Sequence, residues 1–156
     1  MKITLLVVGK TTSALIESLI QEYRKRLTHY VPFALQVIPE LKNTKALTPD
    51  QQKQAEGELI LRAVAQNADL VLLDEHGKEY RSIEFADYIQ KKMSSGRDVV
   101  FVVGGPYGFS EAVYQRANGK ISLSKMTFSH QMVRLFFVEQ IYRAMTILRG
   151  EPYHHE

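Results

Sequence analysis

The chain of 156 residues has the length of one ordinary domain, and its 45% hydrophobic and 24% charged residues exclude a disordered protein. Its 20 Lys and Arg residues against 17 Asp and Glu residues give a net charge of only +3, so any affinity for nucleic acid must come from a local basic patch. Because the chain has no cysteine, disulfides, thiolate catalysis and thiolate metal sites are excluded, and the composition agrees with a cytoplasmic location.

The first half of the chain alternates between strand and helix patterns. The apolar run Ile3–Val8 is too short to span a membrane, and we interpret it as a strand. Ser13–Leu27 then carries apolar residues at helical spacing. Phe33–Ile38 is predicted as a second strand, and Thr48, which precedes a proline, suits the N-cap of a helix that continues over Asp50–Gln66.

The same alternation continues in the second half. Asp69–Leu73 is predicted as a short strand that ends in a turn over Asp74–Gly77. Ser82–Ser95 has the apolar spacing of a helix, and a glycine follows it. The apolar run Asp98–Val103, after its initial acid, is typical of a central strand that is buried on both faces of a parallel sheet.

The remaining elements complete an α/β pattern. Ser110 is predicted to cap a short helix that ends at about Ala117, and Lys120–Leu123 is predicted as the last strand. Strands that alternate with helices indicate an α/β fold with a mostly parallel sheet and helices on both faces. The chain contains no repeat and no low-complexity segment, so the sequence predicts a single domain over residues 1–156.

The final helix, predicted over Ser129–Arg149, is apolar on almost every side. Only Glu139, Arg143 and Thr146 gather into a narrow polar stripe, which is too little for a helix with one face in water. We therefore expect this helix to be covered on two sides, by the sheet and by the same helix of a second copy across a two-fold axis. A helix that is buried wholly within one chain is the alternative.

Three loops with unusual residues follow strand ends: Leu73–Gly77, Gly104–Gly108 and Leu123–His130. Because ligands of open α/β sheets bind beyond the carboxyl ends of the strands, these loops are expected to form one pocket. The glycines of the middle loop let the backbone approach a ligand, although their spacing is neither the dinucleotide motif nor a phosphate-binding P-loop. A tight turn without a ligand is the alternative.

Two residues near the start of the final helix are candidates for chemistry. His130 would lie in the first turn, where the positive end of the helix disfavours imidazolium and keeps the ring neutral as a proton acceptor. A structural histidine is the alternative. Arg134 projects into the apolar side of the helix, and a buried guanidinium needs an anionic or carbonyl partner, which suggests a ligand, a phosphate or a partner subunit. A structural ion pair is the alternative.

The C-terminal segment Pro152–Glu156 is short, and tails of this kind are usually mobile. Its Tyr153 and His154 would offer a nucleobase a stacking ring and a titratable group. No metal site is expected, because the adjacent His154 and His155 are poor chelators. Candidate contacts with an RNA backbone are Arg24, Lys25, Arg26, Lys91, Lys92, Arg97, Arg116, Lys120 and Lys125.

Several groups of residues together carry a resemblance to a known family. They are Met1-Lys2-Ile3, Val8-Gly9-Lys10, Gly104–Gly108, Leu123–Arg134, Glu139–Ala144 and Pro152-Tyr153-His154. The chain resembles, from end to end, the ribosomal RNA large subunit methyltransferase H family, which is the minimal form of the SPOUT class. The resemblance implies a C-terminal half tied in a deep trefoil knot. It also implies a homodimer that transfers a methyl group from S-adenosylmethionine to N3 of a pseudouridine in 23S ribosomal RNA on the assembled ribosome.

The resemblance also implies which residues form the site. The cofactor contacts carried over by position are Leu73, Gly104, Leu123, Ser124, Lys125, Met126, Thr127 and Phe128. The catalytic region corresponds to His130, Arg134, Tyr153 and His154, with some of it completed across the dimer interface. We expect His130 or His154 to accept the N3 proton, while Arg134 stabilises the negative charge that develops on the flanking carbonyl oxygens.

Two other functions fit the same fold. One is a non-catalytic module that binds RNA or the ribosome, which binding of S-adenosylmethionine would argue against. The other is a SPOUT methyltransferase that acts on transfer RNA, for which an added RNA-binding domain would be the distinguishing feature.

Overall fold

The computed structural model describes residues 1–155, which form a sheet of five parallel strands in the order β2-β1-β4-β3-β5. The strands are β1 (Ile3–Val8), β2 (Phe33–Ile38), β3 (Asp69–Glu79), β4 (Val99–Val103) and β5 (Gly119–Ser122). The apolar strand β4 lies between β1 and β3, so the predicted central position of this strand is confirmed. Glu156, the last residue of the predicted C-terminal segment, lies outside the described residues.

Helices connect the strands at nearly the predicted positions. They are α1 (Ala14–Leu27), α2 (Pro49–Ala63), α3 (Ser82–Ser94), α4 (Glu111–Arg116) and α5 (His130–Leu148), with a short 3₁₀ helix at Thr44–Ala46. The three predicted N-caps are confirmed: the side chains of Thr48, Ser110 and Ser129 accept hydrogen bonds from backbone N–H groups three residues on.

The helices cover both faces of the sheet, which confirms the α/β class. On one face α1, α3 and α5 pack on β1 and β4 through residues such as Leu5, Phe101 and Phe137. On the other face α2 and α4 pack on residues such as Leu6 and Val102. None of the helices described is long and apolar enough to cross a membrane.

The predicted turn at Asp74–Gly77 is wrong. Strand β3 continues through it to Glu79, with a shift of register that pairs both Leu73 and Lys78 with Ile121 of β5. Gly77 makes this close approach feasible, because a Cβ there would lie 2.5 Å from the carbonyl carbon of Ile121. The polar residues that suggested a turn therefore belong to an irregular strand segment at the end of the sheet.

Helix α5 is flanked by α1 and α3 on the sheet, so its own chain covers more of it than predicted. Thr146, expected on a polar outer stripe, is fully buried, and its hydroxyl donates to the carbonyl oxygen of Arg143 at 2.7 Å. The side of α5 that faces away from the sheet retains apolar residues at its N-terminal half, where Phe136 is 39% exposed. A second copy would therefore have only this outer side to cover.

The C-terminal tail is docked against the body of the protein, which contradicts the expectation of a mobile segment. The Tyr153 hydroxyl donates to Oε1 of Glu139 at 2.9 Å and lies 3.1 Å from the Tyr23 hydroxyl. Its ring packs edge-on against Tyr142, with the centroids 4.8 Å apart. The tail is ordered because these partners on α1 and α5 satisfy its polar atoms and bury its ring.

Candidate functional site

A cavity of about 690 Å³ opens at the carboxyl ends of β4 and β5, beside the irregular segment of β3. The two loops that the sequence predicted after β4 and β5 converge on it, and the third predicted loop contributes as part of strand β3. The predicted site residues that line it are Leu73, Gly104, Leu123, Ser124, Met126, Thr127, Phe128 and His130. Its volume lies in the range of sites that bind cofactors and drug-sized ligands.

Lys125 is the predicted cofactor residue whose side chain is absent from this lining. The side chain is 86% exposed, and its Nζ lies 3.8 Å from Oε1 of Glu79. The loop therefore turns Lys125 towards solvent, while the residues on either side of it face the cavity.

The glycine turn after β4 is closely packed. Its Gly108 N–H donates to the carbonyl oxygen of Gly105 at 3.1 Å, and Gly108 has a φ of +81°, which favours glycine. A Cβ on Gly104 would lie 3.1 Å from the ring of Phe109, and one on Gly105 would lie 2.1 Å from the carboxyl group of Glu56. The turn thus exposes backbone to the cavity on one side and is supported by side chains on the other.

The loop that follows β5 is held by its own serines. The Ser122 hydroxyl donates to the carbonyl oxygen of Ser124 at 2.9 Å, and the Met126 N–H donates to the Ser124 hydroxyl at 3.0 Å. The ring of Phe128 packs against Phe136 with centroids 4.9 Å apart. These contacts preorganise the loop, so a ligand need not order it on binding.

An acidic wall of the cavity was missed by the sequence analysis, which treated Asp74 only as part of a turn. Asp74 and Glu75 both line the cavity. The Tyr114 hydroxyl donates a short hydrogen bond to Asp74, and burial together with this carboxylate raises the pKa of Tyr114 to about 12. The tyrosine therefore stays protonated and holds a carboxylate at the cavity wall, a position that suits a cationic ligand.

His130 begins α5 at the rim of the cavity, as predicted. Ser129 caps the helix by accepting a hydrogen bond from the Met132 N–H at 3.1 Å. Burial lowers the pKa of His130 below its usual 6.5, and the positive charge of Arg134 lowers it further. The imidazole is therefore neutral at pH 7 and able to accept a proton.

Arg134 lies behind His130, buried to 2% exposure and outside the cavity lining. Its Nη1 donates to the carbonyl oxygen of Gly9 at 2.9 Å and to the Thr11 hydroxyl at 3.1 Å. Its Nη2 donates to the carbonyl oxygen of Val8 at 3.0 Å, and its Nε to that of His130 at 3.1 Å. The sequence suggested a ligand, a phosphate, a partner subunit or an ion pair as the partner of Arg134. In the structure its partners are three backbone carbonyl oxygens and one hydroxyl of the same chain.

The tail residues are not brought to the same cavity within one chain. His154 Nδ1 lies 3.0 Å from Nη1 of Arg143, far along α5 from His130. At 1.5 Å of rise per residue, Arg143 and His130 are separated by about 20 Å along the helix axis. The four predicted catalytic residues thus form two groups, His130 with Arg134 and Tyr153 with His154.

A parallel α/β sheet with a preformed cavity at its strand ends has the arrangement in which open α/β proteins bind ligands. A family model described as "Predicted SPOUT methyltransferase" matches residues 1–154, and the chain belongs to this methyltransferase family. Three similar proteins carry the name "Ribosomal RNA large subunit methyltransferase H". They come from Bacteroides thetaiotaomicron (64% identical), Parabacteroides distasonis (62%) and Flavobacterium johnsoniae (56%), each aligned over 100% of both chains.

Proposed function

We propose that this protein transfers the methyl group of S-adenosylmethionine to N3 of a pseudouridine in 23S ribosomal RNA, in the cytoplasm and on the assembled ribosome. The observation that carries the proposal is the cavity where the loops after β4 and β5 and the irregular segment of β3 meet the neutral His130. The names of the full-length relatives support ribosomal RNA as the substrate.

The residues around the cavity fit S-adenosylmethionine. The close-packed Gly104–Gly108 turn and the serine-braced loop Leu123–Phe128 present backbone groups that can read the edge of an adenine. Asp74 and Glu75 line the same cavity and would supply negative charge to a bound sulfonium cation. When bound, the cofactor supplies a methyl group that is already activated for transfer to a nucleophile.

The chain itself must remove a proton. N3 of a pseudouridine is a poor nucleophile until its proton leaves, so a base at the cavity is needed. His130 has the position and the neutral ring for this task, and the partner subunit's His154 is the second candidate for it. Either histidine would accept the N3 proton directly or through water while the cavity aligns the ring with the methyl group.

Arg134 takes a different part in this proposal from the one expected from the sequence. Its Nε and both Nη atoms donate to protein oxygens, and its side chain is absent from the cavity lining. We assign it a positioning role: it ties the start of α5 to the end of β1, and its charge adds to the effect of burial in lowering the pKa of His130.

A homodimer would unite the two groups of candidate residues. The apolar outer side of α5 around Phe136 is the surface on which a second copy of this helix would pack. An antiparallel arrangement would place His154 of the partner subunit near the N-terminal end of α5, where His130 lies. The proposed site is therefore composite, with cofactor and base on one subunit and the tail from the other.

Calorimetry with S-adenosylmethionine, followed by incubation with ribosomes and separately with transfer RNA, tests the proposal. We expect one cofactor per chain and methyl transfer to ribosomes alone. Absence of both cofactor binding and methyl transfer would favour the non-catalytic module, and methyl transfer to transfer RNA would favour the other SPOUT activity.

A further inference from the structure

A buried carboxyl group lies beneath the glycine turn. It belongs to a residue that is not among the predicted site residues and does not line the cavity. Glu56 of α2 is only 5% exposed, and its Oε1 has no hydrogen-bond partner among residues 1–155. Its Oε2 accepts one long hydrogen bond, 3.4 Å from Nε2 of Gln52. A buried, unpaired carboxyl oxygen is costly, so a gain elsewhere must offset it.

Gly105 lies directly against this carboxyl group. A Cβ on Gly105 would lie 2.1 Å from Oε1 of Glu56 and 2.7 Å from both Cδ and Oε2, and these are its three nearest atoms. Gly105 is not among the glycines with positive φ, so its backbone conformation accepts an L side chain. A side chain at position 105 would therefore meet the carboxyl group of Glu56, which would have to move to make room for it.

We propose that Glu56 is a positioning residue for the cofactor site, whose carboxyl group supports the Gly104–Gly108 turn from the α2 side and sets how closely its backbone approaches the cofactor. The inference rests on the proposed function, because the turn lines the cavity assigned there to S-adenosylmethionine. Glu56 acts through Gly105 and touches no ligand itself.

The charge state of Glu56 follows from the same packing. Burial raises the pKa of this carboxyl group, and the charge of Glu40, in the segment after β2, raises it further, while the Gln52 hydrogen bond acts in the opposite direction. An acid whose pKa is raised on folding stabilises the folded state less as pH rises from its unfolded towards its folded pKa. Burial therefore favours the protonated form of this carboxyl group beneath the turn.

A pH titration of stability tests this charge state. Glu56→Gln keeps the shape of the side chain and cannot ionise. As pH rises from 4 to 8, the stability of this variant relative to the wild type should therefore increase. Urea denaturation measures both, with the exposed Glu58→Gln on the same helix as the matched control. A difference that stays constant with pH, or that follows Glu58→Gln, would contradict a neutral buried acid.

The positioning role is tested by a double-mutant cycle on the turn. Gly105→Ala should weaken binding of S-adenosylmethionine by about tenfold, because its Cβ would displace the buried carboxyl group of Glu56 or the turn that lies against it. Gly105→Ala with Glu56→Ala should recover most of that loss, and Glu56→Ala alone should speed hydrogen exchange of the amides at 105, 107 and 108. Calorimetry, well below each melting temperature, and hydrogen exchange provide the two readouts.

The outcomes separate this inference from the proposed function. If the folded double variant binds as weakly as Gly105→Ala, or if Glu56→Ala lowers the melting temperature without changing exchange in the turn, the positioning role is wrong. If the wild-type protein fails to bind S-adenosylmethionine, the proposed function fails, and the exchange measurements still decide whether Glu56 supports the turn.

Discussion

The guanidinium group of Arg134 joins the first turn of α5 to the end of β1. It donates to carbonyl oxygens on both elements, and Gln131 adds a second link by accepting a hydrogen bond from the Thr12 N–H at 2.7 Å. The sequence predicted a buried guanidinium that needs a partner, because its neighbours on the helix are apolar. It did not predict carbonyls of β1 as the partners, since that contact joins residues more than a hundred positions apart.

Replacing Arg134 with alanine should destabilise the fold strongly. The change removes the guanidinium donors to the carbonyl oxygens of Val8 and Gly9 and creates a cavity, which should lower the free energy of unfolding by about 2–5 kcal/mol. Urea denaturation measures this, and the exposed Lys25→Ala on α1 is the control. A loss of less than about 0.5 kcal/mol, the range of ordinary surface changes, would show that the buried network contributes little.

Replacing His130 with alanine should separate chemistry from cofactor binding. If His130 is the base, single-turnover methyl transfer to ribosomes should fall by about 10²-fold or more, while the affinity for S-adenosylmethionine changes little. The exposed His29→Ala, at the end of α1, should retain wild-type rates. Full activity in both His130→Ala and His154→Ala would remove both candidate bases.

The pH dependence of the same reaction tests whether the pKa of His130 is lowered. Because burial and Arg134 lower its pKa, activity should persist below pH 6.5 and then fall as the imidazole takes up a proton. The rate profile of the wild type should therefore have an acid limb with an apparent pKa below 6.5. That limb should be absent from the residual activity of His130→Ala, and its persistence there would assign it to another group.

At the scale of elements, strands and helices were predictable wherever local pattern decides them. The caps at Thr48, Ser110 and Ser129 and the apolar run of β4 each depend on a few adjacent residues. The second half of β3 does not, because its pairing comes from β5, some forty residues later in the chain. Without that partner, Asp74–Gly77 has the composition of a turn.

Strand β3 offers a test of this non-local pairing. Gly77→Ala should disrupt the contact with the backbone of Ile121 and cost about 1–3 kcal/mol of stability, since backbone on both sides must move. Gly119→Ala on β5 is the matched control, because a Cβ there meets nothing within 4 Å and the φ is not positive. Equal stabilities of the two variants by thermal or urea unfolding would contradict the close approach.

At the scale of the whole molecule, the tail and the cavity lie at different places along α5. The sequence and its resemblance to a known family predicted both groups of residues and their completion across a dimer. Composition and periodicity could not predict that Tyr153 would dock on Tyr23 and Glu139 of its own chain, since this depends on how α1 and α5 pack. The trefoil knot and the single domain over residues 1–156 stay predictions.

A complementation experiment tests the composite site. His130→Ala and His154→Ala homodimers should each be impaired if both residues are needed. After exchange of subunits, half of the dimers are mixed and contain one intact site, so about a quarter of wild-type activity should return. Absence of recovery, with subunit exchange verified by fluorescence energy transfer, would place both residues in a site formed by one chain.

The central claim is methyl transfer from S-adenosylmethionine to 23S ribosomal RNA, and mass spectrometry of that RNA tests it most directly. Ribosomes from a strain that lacks the gene are incubated with the protein and with cofactor labelled in its methyl group. We expect one labelled methyl group, on N3 of a pseudouridine, and strongly reduced labelling by at least one of His130→Ala and His154→Ala. Absence of label from 23S RNA, although calorimetry shows that the protein binds the cofactor, would contradict it.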